Sequence, residues 1–180
     1  MEKVLVIADN FRIIHSGHLK LLEEIQAKMN EFGISKTYIL ISQEPGDILG
    51  FLEKEALFQK LIAYNPIFEI ASVPCLKISK ELKQIALNRE DVLAVFTTPF
   101  QKDYVENGLI GIPTEIREFY TDIDVDLLEE AIMTGNYQAY CNMMPEKLWD
   151  EFQNLKEIYT MDKLTENFIN FKEFLKIKER

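Results

Sequence analysis

The stretch Lys3 to Phe32, KVLVIADNFRIIHSGHLKLLEEIQAKMNEF, decides the fold. Its opening run, Lys3 to Ala8, is short, apolar and β-branched, as in strands buried on both faces of a parallel sheet. From Gly17 to Phe32 the apolar residues recur at helical spacing, with Leu19, Leu22, Ile25 and Met29 on one face and Gly33 as a C-cap. Thr37 to Ser42 (TYILIS) reads as the next strand, which completes a βαβ unit.

The alternation continues. Glu44-Pro45-Gly46-Asp47 reads as a loop, residues 51–64 as a helix, and Ile67 to Val73 as a third strand introduced by Asn65-Pro66. Ile78 to Asn88 then reads as a helix and Val92 to Thr97 as a fourth strand. The order predicts an α/β fold with a doubly wound, Rossmann-like parallel sheet. After Pro113 the character changes, and residues 126–133, 138–142, 145–158 and 162–177 read as helices. The expected organisation is therefore an α/β domain over residues 1–125 and a C-terminal helical cap over 126–180, packed on the same domain.

Composition narrows the function classes. The 180 residues are 47% hydrophobic and 28% charged, as in a folded globular chain, with a formal net charge of −10. That balance argues against duplex nucleic acid as a partner, because backbone binding draws on Lys and Arg. No window reaches the length of an apolar membrane span, and the amino terminus lacks the apolar run of a signal peptide. Cys75 and Cys141 lie far apart without CxxC spacing, which predicts two reduced, buried thiols and a cytoplasmic location.

The chemistry concentrates where the first strand meets the first helix. His15 and His18 are the only histidines, and they flank Gly17. Side chains at i and i+3 share one side of a helical turn, and a glycine between them lets a ligand approach the backbone. Unpaired N–H groups and the positive end of the helix dipole would favour phosphate at such a corner. The competing structural reading is that His15 caps the helix and His18 packs. Two histidines without nearby Cys or grouped carboxylates leave a metal under-ligated.

Phe11, His15, Gly17, His18 and Leu21 resemble the H-x-G-H signature of the nucleotidylyltransferase superfamily. Thr114-Glu115-Ile116-Arg117 is similar to that family's second signature, which opens a helix after the last strand. Ala131-Ile132-Met133-Thr134-Gly135-Asn136 and Met144-Pro145 resemble its closing helix and turn. The resemblance implies nucleotidyl transfer from ATP or CTP to a small phosphate-bearing acceptor with release of pyrophosphate, in the manner of adenylyltransferases acting on nicotinamide mononucleotide.

It further implies His15, His18 and Arg117 as catalytic residues, with Arg117 clamping the β- and γ-phosphates. Asn10, Phe11, Arg12, Gly17 and Thr114 would contact the nucleotide and its phosphates, with Thr114 at a helix start. Mg²⁺ would be held by the phosphates and water, and no protein metal site is expected. The chain departs from the pattern at Asp9, Ile13 and Pro113, so a catalytically inactive nucleotide-binding or assembly protein is the alternative. Arg12 and Lys102 are candidates to offset the Asp9 charge.

Other features have plainer readings. Glu23-Glu24 and Glu129-Glu130 are expected on solvated helix faces. Lys54 and Lys60 are expected on an exposed helix face or a lid over phosphate. The stripe Phe168, Phe171, Phe174 reads as core or as a homo-oligomer contact.

Overall fold

The computed structural model describes residues 2–178 except Pro45, Tyr64, Cys75, Leu76, Asn88, Arg89, Phe100 and Pro113; the side chains of residues 2, 30, 87, 90 and 166–178 are likewise outside the description. Cys75, Pro113 and the phenylalanine stripe of the last helix therefore lie outside the described residues. The chain divides into two compact units, residues 1–123 and 124–180.

Unit 1 is an α/β fold around a five-stranded parallel sheet. Its strands are β1 (Glu2–Asp9), β2 (Lys36–Gln43), β3 (Phe68–Pro74), β4 (Glu90–Thr97) and β5 (Glu115–Glu118), in the spatial order β3-β2-β1-β4-β5. Helices α1 (Ser16–Phe32), α2 (Phe51–Ile62), α3 (Ile78–Leu87) and α4 (Lys102–Gly108) connect them. Strand alternation sorts the side chains into two buried layers. Val4, Val6, Ala8, Leu40 and Val95 pack with Ile78, Leu82 and Ile85 of α3 and Val105 of α4.

The opposite face carries α1 and α2. Thr37 Oγ1 reaches the Met29 sulfur of α1, and Ser72, beside Ile41 in register, donates to Glu55 of α2. Helices thus cover both faces, and the winding direction reverses between β1 and β4. Open α/β sheets bind their ligands outside the carboxyl ends of the strands at such a switch point.

Two elements of unit 1 differ from expectation. Helix α4 is only 7 residues long, too short for a periodic signal. Residues Glu115–Glu118 form the edge strand β5, paired in parallel with Ala94 to Thr97, where a helix start was expected. The physical reason is that Ile116 packs against the layer under α3 and α4, while the main chain completes its hydrogen bonds on β4.

Unit 2 contains α5 (Val125–Thr134), α6 (Tyr137–Met143), a 3-10 turn (Glu146–Glu151) and α7 (Phe152–Lys178). Asp124 caps α5, Gly135 ends it with φ 76°, and Asn136 caps α6. Tyr140 is buried with its hydroxyl donating to the Leu148 carbonyl at 2.6 Å. Of the residues expected as two helices, 145–158 and 162–177, Glu146–Glu151 form the 3-10 turn and those from Phe152 onward run into the single helix α7. Glu129, expected in solvent, is buried and accepts from the Tyr159 hydroxyl at 3.1 Å, whereas Glu130 is exposed. Among the described residues no helix is long and apolar enough to cross a membrane.

Gly108 brings α3 and α4 together: a Cβ there would stand 2.9 Å from Ser79 Cα and 3.1 Å from its carbonyl oxygen. Because those neighbours are backbone, Gly108→Ala is expected to lower stability by about 1–3 kcal/mol. Urea unfolding measures this, and a change below about 0.5 kcal/mol would mean that the helices can separate freely.

Candidate functional site

The carboxyl end of β1 delivers Asp9, and the next residues turn sharply before α1. Phe11 has φ 47°, a left-handed conformation uncommon outside glycine. Its amide donates to Asp9 Oδ2 at 3.4 Å, and the Arg12 amide to Asn10 Oδ1 at 3.3 Å. The Phe11 ring is buried edge-on against His18, with centroids 5.1 Å apart, and against Phe58 at 4.7 Å. The ring that the resemblance places near the nucleotide is thus enclosed by core.

Both imidazoles cap the helix. His15 Nδ1 accepts from the Gly17 amide at 3.1 Å, and His18 Nδ1 accepts from the His15 amide at 3.2 Å, a reciprocal capping box. Their rings stack with centroids 4.0 Å apart. The Gly17 amide that was expected to cradle phosphate is thus already satisfied. An Nδ1 that accepts a hydrogen bond carries no proton, so each neutral ring bears its proton on Nε2.

Burial enforces the same state. His15 is 1% exposed and His18 5%. Desolvation lowers the His15 pKa to about 4, and desolvation followed by the charge of His15 takes His18 well below 6.5. The pair consequently presents neutral N–H donors at neutral pH, not imidazolium cations. His15 Nε2 lies 3.5 Å from Thr121 Oγ1.

Gly17 is required by a different neighbour from the one expected. A Cβ on it would stand 2.6 Å from Thr121 Cβ and 2.7 Å from its Cγ2. The notch left by the glycine is filled by the segment after β5, which also buries Phe119 with its ring 6.3 Å from His18.

The second signature does not join the histidines. The Thr114 hydroxyl donates to the Val92 carbonyl at 3.0 Å. Val92 pairs with Val4, five residues before Asp9, so Thr114 stands at the amino end of the sheet, roughly 16 Å along β1. Arg117, in register with Phe96, lies two strands from β1. It donates to Glu115 at 2.8 Å and sits 5.9 Å from the centre of the Phe96 ring. A four-residue edge strand aims Thr114 and Arg117 by its own pairing, which overturns their expected place at a helix start beside the histidines.

A lysine whose burial was not expected organises the site. Lys54 of α2 is fully buried, and its ammonium donates to the Asn10 carbonyl at 2.8 Å, the Ser42 carbonyl at 3.2 Å and Asp47 Oδ2 at 2.7 Å. This tripod ties the ends of β1 and β2 to the loop before α2. Its only sequence signal is a lysine between Leu52 and Leu57 on an amphipathic helix, which also fits an exposed position.

Asp9 is 5% exposed and accepts from the Thr98 hydroxyl at 2.5 Å, across the switch point. Burial pushes its carboxyl above the ordinary value of 3.8, against the Thr98 hydroxyl, the Asn10 and Phe11 amides and the Lys54 charge. Lys54 is thus a cation that offsets Asp9, whereas Lys102 donates to Glu118 at 2.6 Å. Gln101 adds a further tie over β1, donating to Glu44 at 3.2 Å. Among the described residues no group of three or more His, Cys, Asp or Glu could hold a metal ion. Both Asp9 oxygens accept hydrogen bonds already, so Mg²⁺ would depend on phosphate and water ligands.

Two outcomes test this arrangement. Lys54→Met removes the donor from three acceptors and should cost about 3–5 kcal/mol in urea unfolding; near-neutral behaviour would mean that water replaces the ammonium.

The second outcome concerns pH. Both histidines are neutral in the fold and gain protons more readily when unfolded, so stability is full above pH 6.5 and falls as the pH drops toward about 4. The His15 share is on the order of 3 kcal/mol. Asp9, with its raised pKa, opposes this trend only in its own window above 3.8. His15→Asn keeps a capping acceptor for the Gly17 amide and removes one titration. It should flatten the loss of Tm between pH 6.5 and 5, and an unchanged slope would assign the pH dependence to other groups.

No protein-family profile matches the chain. No curated protein matches it either. Among solved structures, a hypothetical protein from Sulfolobus tokodaii is 16% identical, with a TM-score of 0.43 over 67% of this chain and 97% of that one.

Proposed function

We propose that this protein binds a nucleoside triphosphate, ATP or CTP, at the carboxyl edge of its sheet. The observation that carries this reading is the pair of stacked neutral imidazoles at the β1–α1 corner, whose Nδ1 atoms are committed to the backbone and whose Nε2–H groups are the remaining donors. Neutral donors bind phosphate oxygens by directed hydrogen bonds, and in a water-poor site such bonds are stronger than in solvent. The H-x-G-H resemblance and the β3-β2-β1-β4-β5 strand order support the same location.

Binding without turnover is the form of this function that the cations favour. Displacement of pyrophosphate develops negative charge on the leaving group, and phosphoryl-type transfer gains chiefly from positioned cations and donors. Arg117, the clamp implied by the resemblance, is occupied by Glu115 on the edge strand, and Lys54 is used in the tripod. Nucleotidyl transfer to a small phosphate-bearing acceptor is the second reading. It rests on the two Nε2–H donors, which could support charge on the α-phosphate without a covalent nucleophile, with nucleotide-borne Mg²⁺ supplying further charge neutralisation.

Calorimetry with ATP and CTP in the presence of Mg²⁺ tests the proposal. Binding of one nucleotide at micromolar to millimolar concentration is expected, with a roughly tenfold loss for His18→Gln from one lost hydrogen bond to a charged group. Absence of binding at millimolar nucleotide overturns it. A pyrophosphate-release assay over phosphorylated acceptors separates the readings: no release accompanies simple binding, whereas steady release that His18→Gln abolishes establishes the transferase.

A further inference from the structure

The segment that follows β5 occupies the place from which a ligand would reach the histidine pair. Thr121 is seated in the Gly17 notch closely enough that any side chain at residue 17 would collide with it. Its hydroxyl lies 3.5 Å from His15 Nε2, the one polar atom of that ring not committed to the backbone. Phe119 anchors the segment: its amide donates to the Thr97 carbonyl at 3.0 Å, continuing the β4–β5 ladder, and its side chain is buried. Beyond that anchor regular pairing stops, and Tyr120 is 76% exposed, with its hydroxyl donating to Glu118 at 2.6 Å.

The contrast along these three residues matters. Phe119 is held by core and ladder, whereas Thr121 is held by the fit of a small side chain over a glycine and by a long contact to an imidazole, at the outer limit of hydrogen-bond distance. Phe119 thus fixes the start of the segment on the sheet, and the segment's last residue is followed directly by Asp124, the cap of α5. Local opening draws on segments with few buried contacts.

The geometry points to residues 120–123 as a latch: in the closed form Thr121 covers His15 Nε2 and the first turn of α1, and nucleotide binds when the latch swings off the Gly17 notch. This inference rests on the nucleotide-binding reading above. The closed form reduces apparent affinity by the fraction of molecules whose latch is open, so weakening the latch raises affinity without adding any contact to the ligand. A Thr121 that instead held the ligand would make the opposite prediction for the same substitution.

The test uses the full chain and the variants Thr121→Gly, which empties the notch, and Thr121→Val, which fills it with nearly the same shape but no hydroxyl. Without ligand, NMR titration of the His15 Cε1 proton reports the cover directly. Thr121→Gly should move the His15 titration up from about 4 toward 6.5 as water reaches the ring, and Thr121→Val should leave it low. With ATP and CTP plus Mg²⁺, calorimetry should show Thr121→Gly binding at least about fivefold tighter than the native chain, and Thr121→Val within about twofold.

An unchanged His15 titration in Thr121→Gly overturns the latch, whatever the nucleotide result. Weaker nucleotide binding by Thr121→Gly also overturns it and makes Thr121 a ligand contact. A shifted titration with no binding of either nucleotide to any variant supports the cover over His15 and overturns the nucleotide-binding reading instead.

Discussion

The reciprocal hydrogen bonds between the His15 and His18 imidazoles and the first turn of α1 constrain everything at this corner of the molecule. Each ring uses Nδ1 as an acceptor for a main-chain N–H, so neither can be protonated there without losing the cap. The helix start, the tautomer, the orientation of Nε2 and the neutrality of the pair are one condition seen from four sides. Stacking at 4.0 Å would place two like charges against each other if both rings were protonated, which burial already opposes.

Charge at the carboxyl edge of the sheet is largely consumed internally. The Lys54 ammonium is shared among two strand-end carbonyls and Asp47, and the Asp9 carboxylate is engaged by Thr98 and the Phe11 amide. These ties hold β1, β2, β4 and the loop before α2 in register around the switch point. The site therefore differs from an open, electropositive phosphate cradle. On the nucleotide-binding reading proposed above, recognition would lie in a few directed neutral donors, whose strength depends on exclusion of water more than on net charge.

Much of the architecture was legible in the amino-acid order. Strands β1 to β4 are near-continuous apolar runs because helices cover both faces of the sheet, and α1 to α3 show their buried stripes by spacing. The ends moved by only a few residues. Strand β5 was not legible, because Glu115-Ile116-Arg117-Glu118 carries a single apolar residue and its pairing with β4 exists only after the chain has returned to that edge. The same run resembles a phosphate-binding signature, and a short motif cannot reveal whether its arginine will meet a glutamate two residues away. Lys54 and Glu129 were misread for a related reason: charged side chains in amphipathic helices look solvent-facing until distant groups supply partners, here Asn10, Ser42 and Asp47 for the one and Tyr159 for the other.

The sequence by itself determined the α/β order of elements, the corner where the histidines stand and the end of the first helix at Gly33. These depend on hydrophobic period and local backbone chemistry, which neighbours along the chain settle. Only the tertiary structure decided that the histidines are buried neutral caps, that Gly17 makes room for Thr121, and that Thr114 and Arg117 lie apart from them. The caps themselves are local, between residues two and three positions apart, but the burial that keeps the rings neutral, the fit of Thr121 over Gly17 and the placing of Thr114 and Arg117 depend on strand pairing and on contacts between residues tens of positions apart.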